Sequence, residues 1–310
     1  MTFDSTNTTP IDQGVIEKPA KPKRPELSSL LFSRFADMIY KFSGIRFEEN
    51  KNYFLASKLT NRCQALGLDS FESYWQYLNS PSGNMEYGFM IDEITINETF
   101  FYRHQPQMDA FREEILHPMV YLKKSKRQNR LRIWSSAAST GDEIYTIALM
   151  IKEAGLDKEI GIDLVGTDIC TDAIRKAREG VYRKYAVRNI PQDQLDKYFD
   201  IDEDKANFTL SKDIRNMVTF HEINLMDKMR VGSLGHFDIV ICRNILIYFD
   251  DASKERVVEN IFNATNPEGL LILGHSENIY SLRHLFKQDK SRSAAIAYLR
   301  QPPGTPKYTV

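Results

Sequence analysis

Most of the marks of a specialised protein class are missing from this chain. Its three cysteines, Cys63, Cys170 and Cys242, are odd in number and far apart. No CxxC pair or Cys/His spacing joins them, so a reducing, cytoplasmic setting is expected rather than a disulfide scaffold. The six histidines are scattered without an HExxH helix, and no metal is expected. Basic and acidic residues number 41 and 42, which removes any whole-chain field drawing nucleic acid or a membrane surface. No apolar run approaches the ~18 residues of a membrane span, so no membrane insertion is expected. No internal repeat is visible, and a monomer is expected. Residues 1–26 lack the apolar core of a signal peptide and carry Pro10, Pro19, Pro22 and Pro25. They read as a disordered tail, and residues 301–310 as a second, short one.

What remains is ordinary globular composition, 42% hydrophobic and 27% charged over 310 residues, enough for one large core or two modest ones. Residues 27–97 read as an all-helical unit. Leu27, Leu31, Phe35, Met38, Ile39 and Phe42 make one helical stripe, stopped by Gly44. A second helix spans 50–66 with Leu55, Leu59, Cys63 and Leu66 along one side. Ser70 caps a third, carrying Phe71, Tyr74, Trp75 and Leu78, and a fourth covers 85–94. Residues 98–130 connect this unit to the rest through a helix over 107–122, kinked at Pro118, and a basic linker. The linker is read as solvated rather than as an RNA contact. No aromatic residue occurs between Lys123 and Trp134, and stacking platforms are what single-strand binders need.

From residue 131 to 300 strands alternate with helices. Strands are expected at 131–135, 162–166, 218–223, 237–242, 270–273 and 294–299, with helices at 142–154 and 171–179. That alternation implies an α/β fold with a doubly wound, mostly parallel sheet. Residues 180–216 exceed a simple crossover and include a β-like stretch at 207–210, so a small β insertion is expected.

The sharpest chemical signal is FDIVICRNILIYF, residues 237–249. A strand apolar enough to be buried on both faces runs directly into Arg243 and Asn244, which are costly to bury unpaired. Ligands of open α/β sheets sit at the carboxyl ends of strands, and Tyr248 follows about one turn later. The plainer alternative is a strand ending at the surface with Arg243 solvated. The first strand–helix loop, SSAASTGDE at 135–143, has small residues and opens a helix whose N-terminus can face a polar ligand. It lacks GxGxxG and the P-loop lysine, which disfavours pyrophosphate. Asp168 ends the second strand, where a carboxylate can take ribose hydroxyls. Its alternative role is capping the next helix, which Thr171 or Asp172 could also do. A nucleoside without a phosphate chain suits both features, with S-adenosylmethionine as the leading candidate.

Six segments then carry a resemblance. ITINETFFYR (94–103) resembles the N-x-T-x-F-F-R signature of the chemotaxis receptor glutamate methyltransferases, the CheR family, with Tyr102 in place of the second Phe. WSSAASTGDEIYTIAL (134–149) is similar to the family's W-S-x-x-x-S-T-G-E-E-P-Y-S-x-A loop, with Asp142 and Ile144 as departures. TDI at 167–169, VTFHEINL at 218–225, FDIVICRNILIYFD at 237–250 and GLLILGHSE at 269–277 follow in order. The resemblance covers 27–300 and implies a Rossmann-like class I methyltransferase domain behind the helical unit. It implies S-adenosylmethionine as cofactor, S-adenosylhomocysteine as product, and the cytoplasmic helical region of chemotaxis receptors as partner. Asn97, Thr99 and Arg103 would reach the cofactor from the helical side. Glu143, Asp168, Asn224, Leu225, Arg243 and Asn244 would surround it from the sheet. Arg103 and Tyr248 would lie at the transferred methyl and the incoming carboxylate. Asp142 keeps a carboxylate and is expected to matter little.

The residue types suit the reaction. A glutamate is already an oxyanion at neutral pH, with a reference pKa of about 4.3. It needs no general base, so a site without a catalytic His or Cys is not a puzzle. From Lys51 to Leu68 there is no acidic residue, and Lys51, Lys58 and Arg62 share a narrow arc of the second helix. A solvated cationic face is the ordinary reading; the resemblance favours docking of a glutamate-bearing receptor helix. The rivals are methylation of another substrate and a non-catalytic cofactor-binding scaffold. The Asn/Asp-Pro-Pro-aromatic element of amino-methylating enzymes is replaced here by CRNILIYF.

Overall fold

The computed structural model describes residues 27–292 and 294–306. The expected tail at 1–26 and residues 307–310 of the second lie outside it. Four helices open the described chain: α1 (Ser29–Ser43), α2 (Asn52–Leu66), α3 (Phe71–Leu78) and α4 (Glu86–Ile94). Their ends follow local chemistry. The Ser28 hydroxyl accepts from the Leu31 amide at 3.3 Å, the Ser70 hydroxyl from Ser73 at 3.1 Å, and Gly44 leaves α1 with φ 76°. Their apolar stripes meet in a separate core where Phe35, Ile39, Leu55, Leu59, Tyr74 and Met90 are fully buried. Each such side chain contributes about 2 kcal/mol of transfer free energy.

The connecting helix is continuous but mixed: α5 (Gln105–Ala110), a π-helical stretch at Phe111–Leu116, then α6 (His117–Ser125). Pro118, where a kink was expected, stands near the start of α6. It offers no N–H to the preceding turn, and its ring crowds the carbonyl four residues back; the wide π turn just before it relieves both demands.

The sheet domain follows as β1 (Arg130–Ser135), α7 (Asp142–Glu153), β2 (Gly161–Asp168) and α8 (Thr171–Glu179). The insertion then contributes β3 (Val181–Arg183), α9 (Lys184–Val187), α10 (Gln192–Tyr198), β4 (Phe199–Ile201), β5 (Asn207–Leu210) and α11 (Lys212–Arg215). The chain returns through β6 (Val218–Glu222), α12 (Lys228–Ser233), β7 (Phe237–Cys242), α13 (Asp251–Asn263), β8 (Thr265–Leu273), β9 (Phe286–Gln288) and β10 (Ala297–Arg300). The main sheet is seven-stranded in the order β6-β2-β1-β7-β8-β10-β9. Its first five strands are parallel; β10 is antiparallel to both β8 and β9. The insertion is a three-stranded antiparallel sheet, β3-β5-β4.

Every residue of β7 is buried, as its apolar run requires, because cores lie on both faces of the sheet. The topological switch falls between β1 and β7, where chain direction around the sheet reverses and a crevice opens at the carboxyl ends. Among the described residues no helix is long and apolar enough to cross a membrane.

The helical unit is stitched to this crest. Ile45 bridges to Phe249, the Arg46 amide donates to the Tyr248 carbonyl at 3.2 Å, and the Tyr40 hydroxyl donates to Asp250 at 3.0 Å. Asp92 of α4 accepts the first amides of α8, from Thr171 at 2.7 Å and Asp172 at 3.2 Å.

Candidate active site

The loop after β1 descends into the crevice and turns back into α7 at Gly141, where φ is 88° and an added Cβ would stand 2.9 Å from the Tyr145 ring. The crevice encloses about 220 Å³. Ala137, Ser139, Asp168 and Ile169 line it from the sheet, and Ile45, Phe47, Lys51, Phe54 and Ile96 from the helical unit. A smaller hollow lined by Ile223, Asn224 and Leu225 shares Ile45, Asp168 and Ile245 with it, so the two are continuous.

Eight of the ten residues expected at the cofactor and methyl group line the main crevice: Asn97, Thr99, Arg103, Glu143, Asp168, Arg243, Asn244 and Tyr248. Asn224 and Leu225 line the adjoining hollow instead. The Asn224 amide donates to the Phe42 carbonyl of α1, and its Oδ1 accepts from the Met226 amide. Leu225 is buried, with its carbonyl receiving Asn260.

Asp168 is buried, and both its oxygens are held by the backbone: Oδ2 accepts from Ser139 and Oδ1 from Cys170, at 2.8 and 2.9 Å. Burial raises its pKa, and these amides oppose the rise. A carboxylate has about four acceptor sites, so Asp168 keeps capacity for a ligand hydroxyl. It does not cap α8. The Cys170 sulfur accepts from the Ala173 amide there, and Asp92 takes the first two amides. Carboxylates of Glu143 and Asp168 among apolar walls fit a nucleoside with a cationic centre.

Arg243 is buried but fully engaged, which rules out the solvated alternative. Nη1 pairs with Glu143 at 2.9 Å, Nε donates to Gln107 Oε1 at 3.0 Å, and Nη2 donates to the Arg103 carbonyl at 2.9 Å. Glu143 also accepts from Ser135 at 2.8 Å. One guanidinium thus fixes the signature loop, α5 and α7 against the end of β7. Behind it, Glu277 accepts four backbone amides: Asn244 and Gly274 on Oε2, Ile245 and Leu246 on Oε1, all at 2.7–2.9 Å. That carboxylate shapes the turn leading to Tyr248. Gln107, fully buried, donates to the carbonyls of Leu273 and Ala295. Sequence reasoning missed Gln107 and Glu277. The only signal for Glu277 was its place in GHSE, and Gln107 carried none.

Arg103 Nη1 donates to the Glu98 carbonyl at 2.8 Å. Burial raises the pKa of half-buried Tyr248, with the Arg103 charge acting in the opposite direction, so its hydroxyl is an O–H donor at neutral pH. Tyr102, the departure closest to these residues in sequence, faces away from the crevice. It is buried, and its hydroxyl donates to Gln194 of α10 at 2.7 Å, tying the signature loop to the insertion. Burial pushes this phenol up to about 12. Four of the eight described non-glycine residues with positive φ belong to these loops: Tyr102, His104, Ser139 and Asn244. Strain of about 1–3 kcal/mol each persists only where surrounding contacts over-determine the backbone. Asp142 is fully buried, its Oδ1 has no partner among the described residues, and burial pushes it up to about 6.

Lys51, just before α2, and Lys58 and Arg62 within it do not form one open stripe. Arg62 makes a two-pronged pair with buried Glu86 at 2.8 and 2.9 Å, and Tyr74 donates to the same carboxylate. This guanidinium serves the helical core, because Glu86 needs a countercharge to be buried. Lys58 lies 3.5 Å from Glu93, and Lys51 lines the crevice rather than an outer face. No histidine or cysteine among the described residues lines the crevice.

Residues 97–295 match the family model described as CheR methyltransferase, SAM binding domain, and 31–95 match the CheR methyltransferase, all-alpha domain. The chain is 35% identical over 268 residues to chemotaxis protein methyltransferase 2 of Vibrio cholerae, covering 86% of this chain and 92% of that protein. It is 32% identical over 262 residues to the chemotaxis protein methyltransferase of Salmonella typhimurium, covering 84% and 88%. To that of Escherichia coli it is 31% identical over 266 residues, covering 85% and 90%.

Proposed function

Because the chain belongs to the CheR methyltransferase family and is an S-adenosylmethionine-dependent enzyme, we propose that it esterifies glutamate side chains in the cytoplasmic helical region of chemotaxis receptors. S-adenosylmethionine, when bound, supplies an electrophilic sulfonium methyl. The chain's own contribution is to hold and orient. Asp168 would hold ribose hydroxyls, and Asn224 and Leu225 line the adjoining hollow. Glu143, Asn97, Thr99 and Asn244 would hold the remaining polar groups. Arg243 acts through Glu143 and the Arg103 carbonyl, keeping both in place. Arg103 fixes one oxygen of the incoming carboxylate, and the protonated Tyr248 hydroxyl donates to the same group or walls the methyl path. Such orientation can lower a barrier by several kcal/mol without proton transfer. The reading places the protein in the cytoplasm as a monomer.

The observation that carries this reading is the meeting of Arg103 and Tyr248 with Asp168 and Glu143 in one crevice. The test is transfer of labelled methyl from S-adenosylmethionine to purified receptor cytoplasmic fragments, followed by mild alkali. Base-labile label released as methanol is the expected result; alkali-stable label would point to another acceptor. Arg103→Lys is expected to lower kcat at least tenfold with the fold intact. Wild-type turnover would remove Arg103 from the mechanism.

A further inference from the structure

One guanidinium at the crevice rim belongs to the insertion and has no part in the chemistry just described. Arg188 follows α9, and its guanidinium carbon sits in the notch between two rings, 3.4 Å from the Phe100 centroid and 3.7 Å from that of Tyr185; the rings themselves stand 6.0 Å apart at 72°. Phe100 lines the crevice, and the guanidinium of Arg103 lies 5.9 Å from the same ring. The Tyr185 ring is itself fixed, its hydroxyl donating to Glu98 at 3.0 Å. Arg188 is exposed, and the one hydrogen bond it makes is from Nη1 to the Tyr185 carbonyl.

This notch has a definite chemical consequence. Contact with two rings inclined at 72° restricts the rotamers of the guanidinium, while Arg188 remains exposed. An arginine has five N–H donors in a planar fork that matches a carboxylate with two parallel bonds. Held against two rings, Arg188 loses less entropy on binding than a free surface arginine would. Arg183 and Lys184, at the end of β3 and the start of α9, are exposed as well, and Glu98 is already bonded to Tyr185. The rim therefore offers positive charge to a partner.

We propose that Arg188 is a specificity-determining residue that binds a second carboxylate on the acidic helical substrate, flanking the glutamate held at Arg103. Residues three or four apart on a helix have Cβ atoms about 5–6 Å apart, a spacing that suits two guanidinium groups sharing one ring. The inference rests on the proposed function and adds to it how the enzyme selects among glutamates.

The test is steady-state methylation of a receptor cytoplasmic fragment by the full chain and by Arg188→Ala, Arg188→Lys and Arg188→Glu. Arg188→Ala is expected to raise KM for the fragment on the order of tenfold. Saturating kcat, melting temperature and affinity for S-adenosylhomocysteine stay at wild-type values. Arg188→Lys restores only part of the loss, because lysine lacks the planar fork, and Arg188→Glu is worse than alanine. Neutralising the acidic residue beside the accepted glutamate costs the wild type as much as it would cost to lose Arg188, and costs Arg188→Ala nothing further. An unchanged KM in folded Arg188→Ala, with an active wild type, overturns this inference alone. A wild type that leaves the fragment unmethylated overturns the proposed function and this inference with it.

Discussion

Asp142 is the residue whose chemistry is most at odds with its surroundings. Its carboxyl is fully buried, Oδ2 accepts from Thr140, Oδ1 has no partner among the described residues, and its pKa is pushed up to about 6. A folded pKa above the unfolded value of about 3.9 means that the native state holds the proton longer. Stability is therefore highest below pH 4 for this group and falls as pH rises toward about 6. Asp142→Asn should abolish that decline and raise stability near pH 7.5 by on the order of 2 kcal/mol, read from urea midpoints at pH 4 and 7.5. An unchanged pH profile would contradict the assignment. The identity of this position was legible in the sequence, but its burial was not, because the loop's small residues gave no periodicity. Arg243 was the opposite case: a charged residue at the end of a fully apolar strand marked the position, with a paired and a solvated reading both open, and the structure shows the paired one. Its partners, Gln107 and Glu143, stand 136 and 100 residues away in the chain, and no local pattern could join them.

At the scale of elements, long periodic stretches were readable and short ones were not. The stripes of α1 and α2 and the apolar run of β7 each carry enough residues to set a period. Strands β3, β4 and β9 have three residues each, too few for alternation to stand out from turns. A strand was expected only at 270–273, yet β8 starts at Thr265, which pairs with Phe237 before the register shifts; Pro267 and Gly269 interrupt the apolar pattern there. The connecting helix gains its place from α5, whose Gln107 joins the ends of β7 and β8. Gln107→Leu removes the side-chain hydrogen bonds to two buried carbonyls and to the Arg243 Nε. It should cost about 1–3 kcal/mol in denaturant unfolding at constant slope. Less than about 0.5 kcal/mol would show that the helix is held by its apolar face alone.

At the scale of the whole molecule, the helical unit does more than cover the crevice. Its 44–46 turn holds the backbone of Tyr248 and Phe249, and Tyr40 and Arg46 converge on Asp250. Asp250 also caps α13 by accepting from Ser253, which is the main reason its pKa is lowered, with Tyr40 and Arg46 adding to the effect. A depressed carboxylate pKa gives stability that is present above about pH 4 and is lost as pH falls through the lower folded value. Asn is also a good N-cap, so Asp250→Asn isolates the clamp from the helix end. It should lower kcat on the order of tenfold with folding retained, since a small misplacement of Tyr248 is costly; unchanged kcat would make the clamp purely structural. The central claim is that the nucleoside lies where the helical unit meets the sheet crest, with Asp168 beneath it. Calorimetric titration of the full chain with S-adenosylhomocysteine tests this most directly. One molecule bound per chain is predicted, with affinity at least tenfold weaker in Asp168→Ala; no binding by the wild type, or equal binding by the variant, would contradict it.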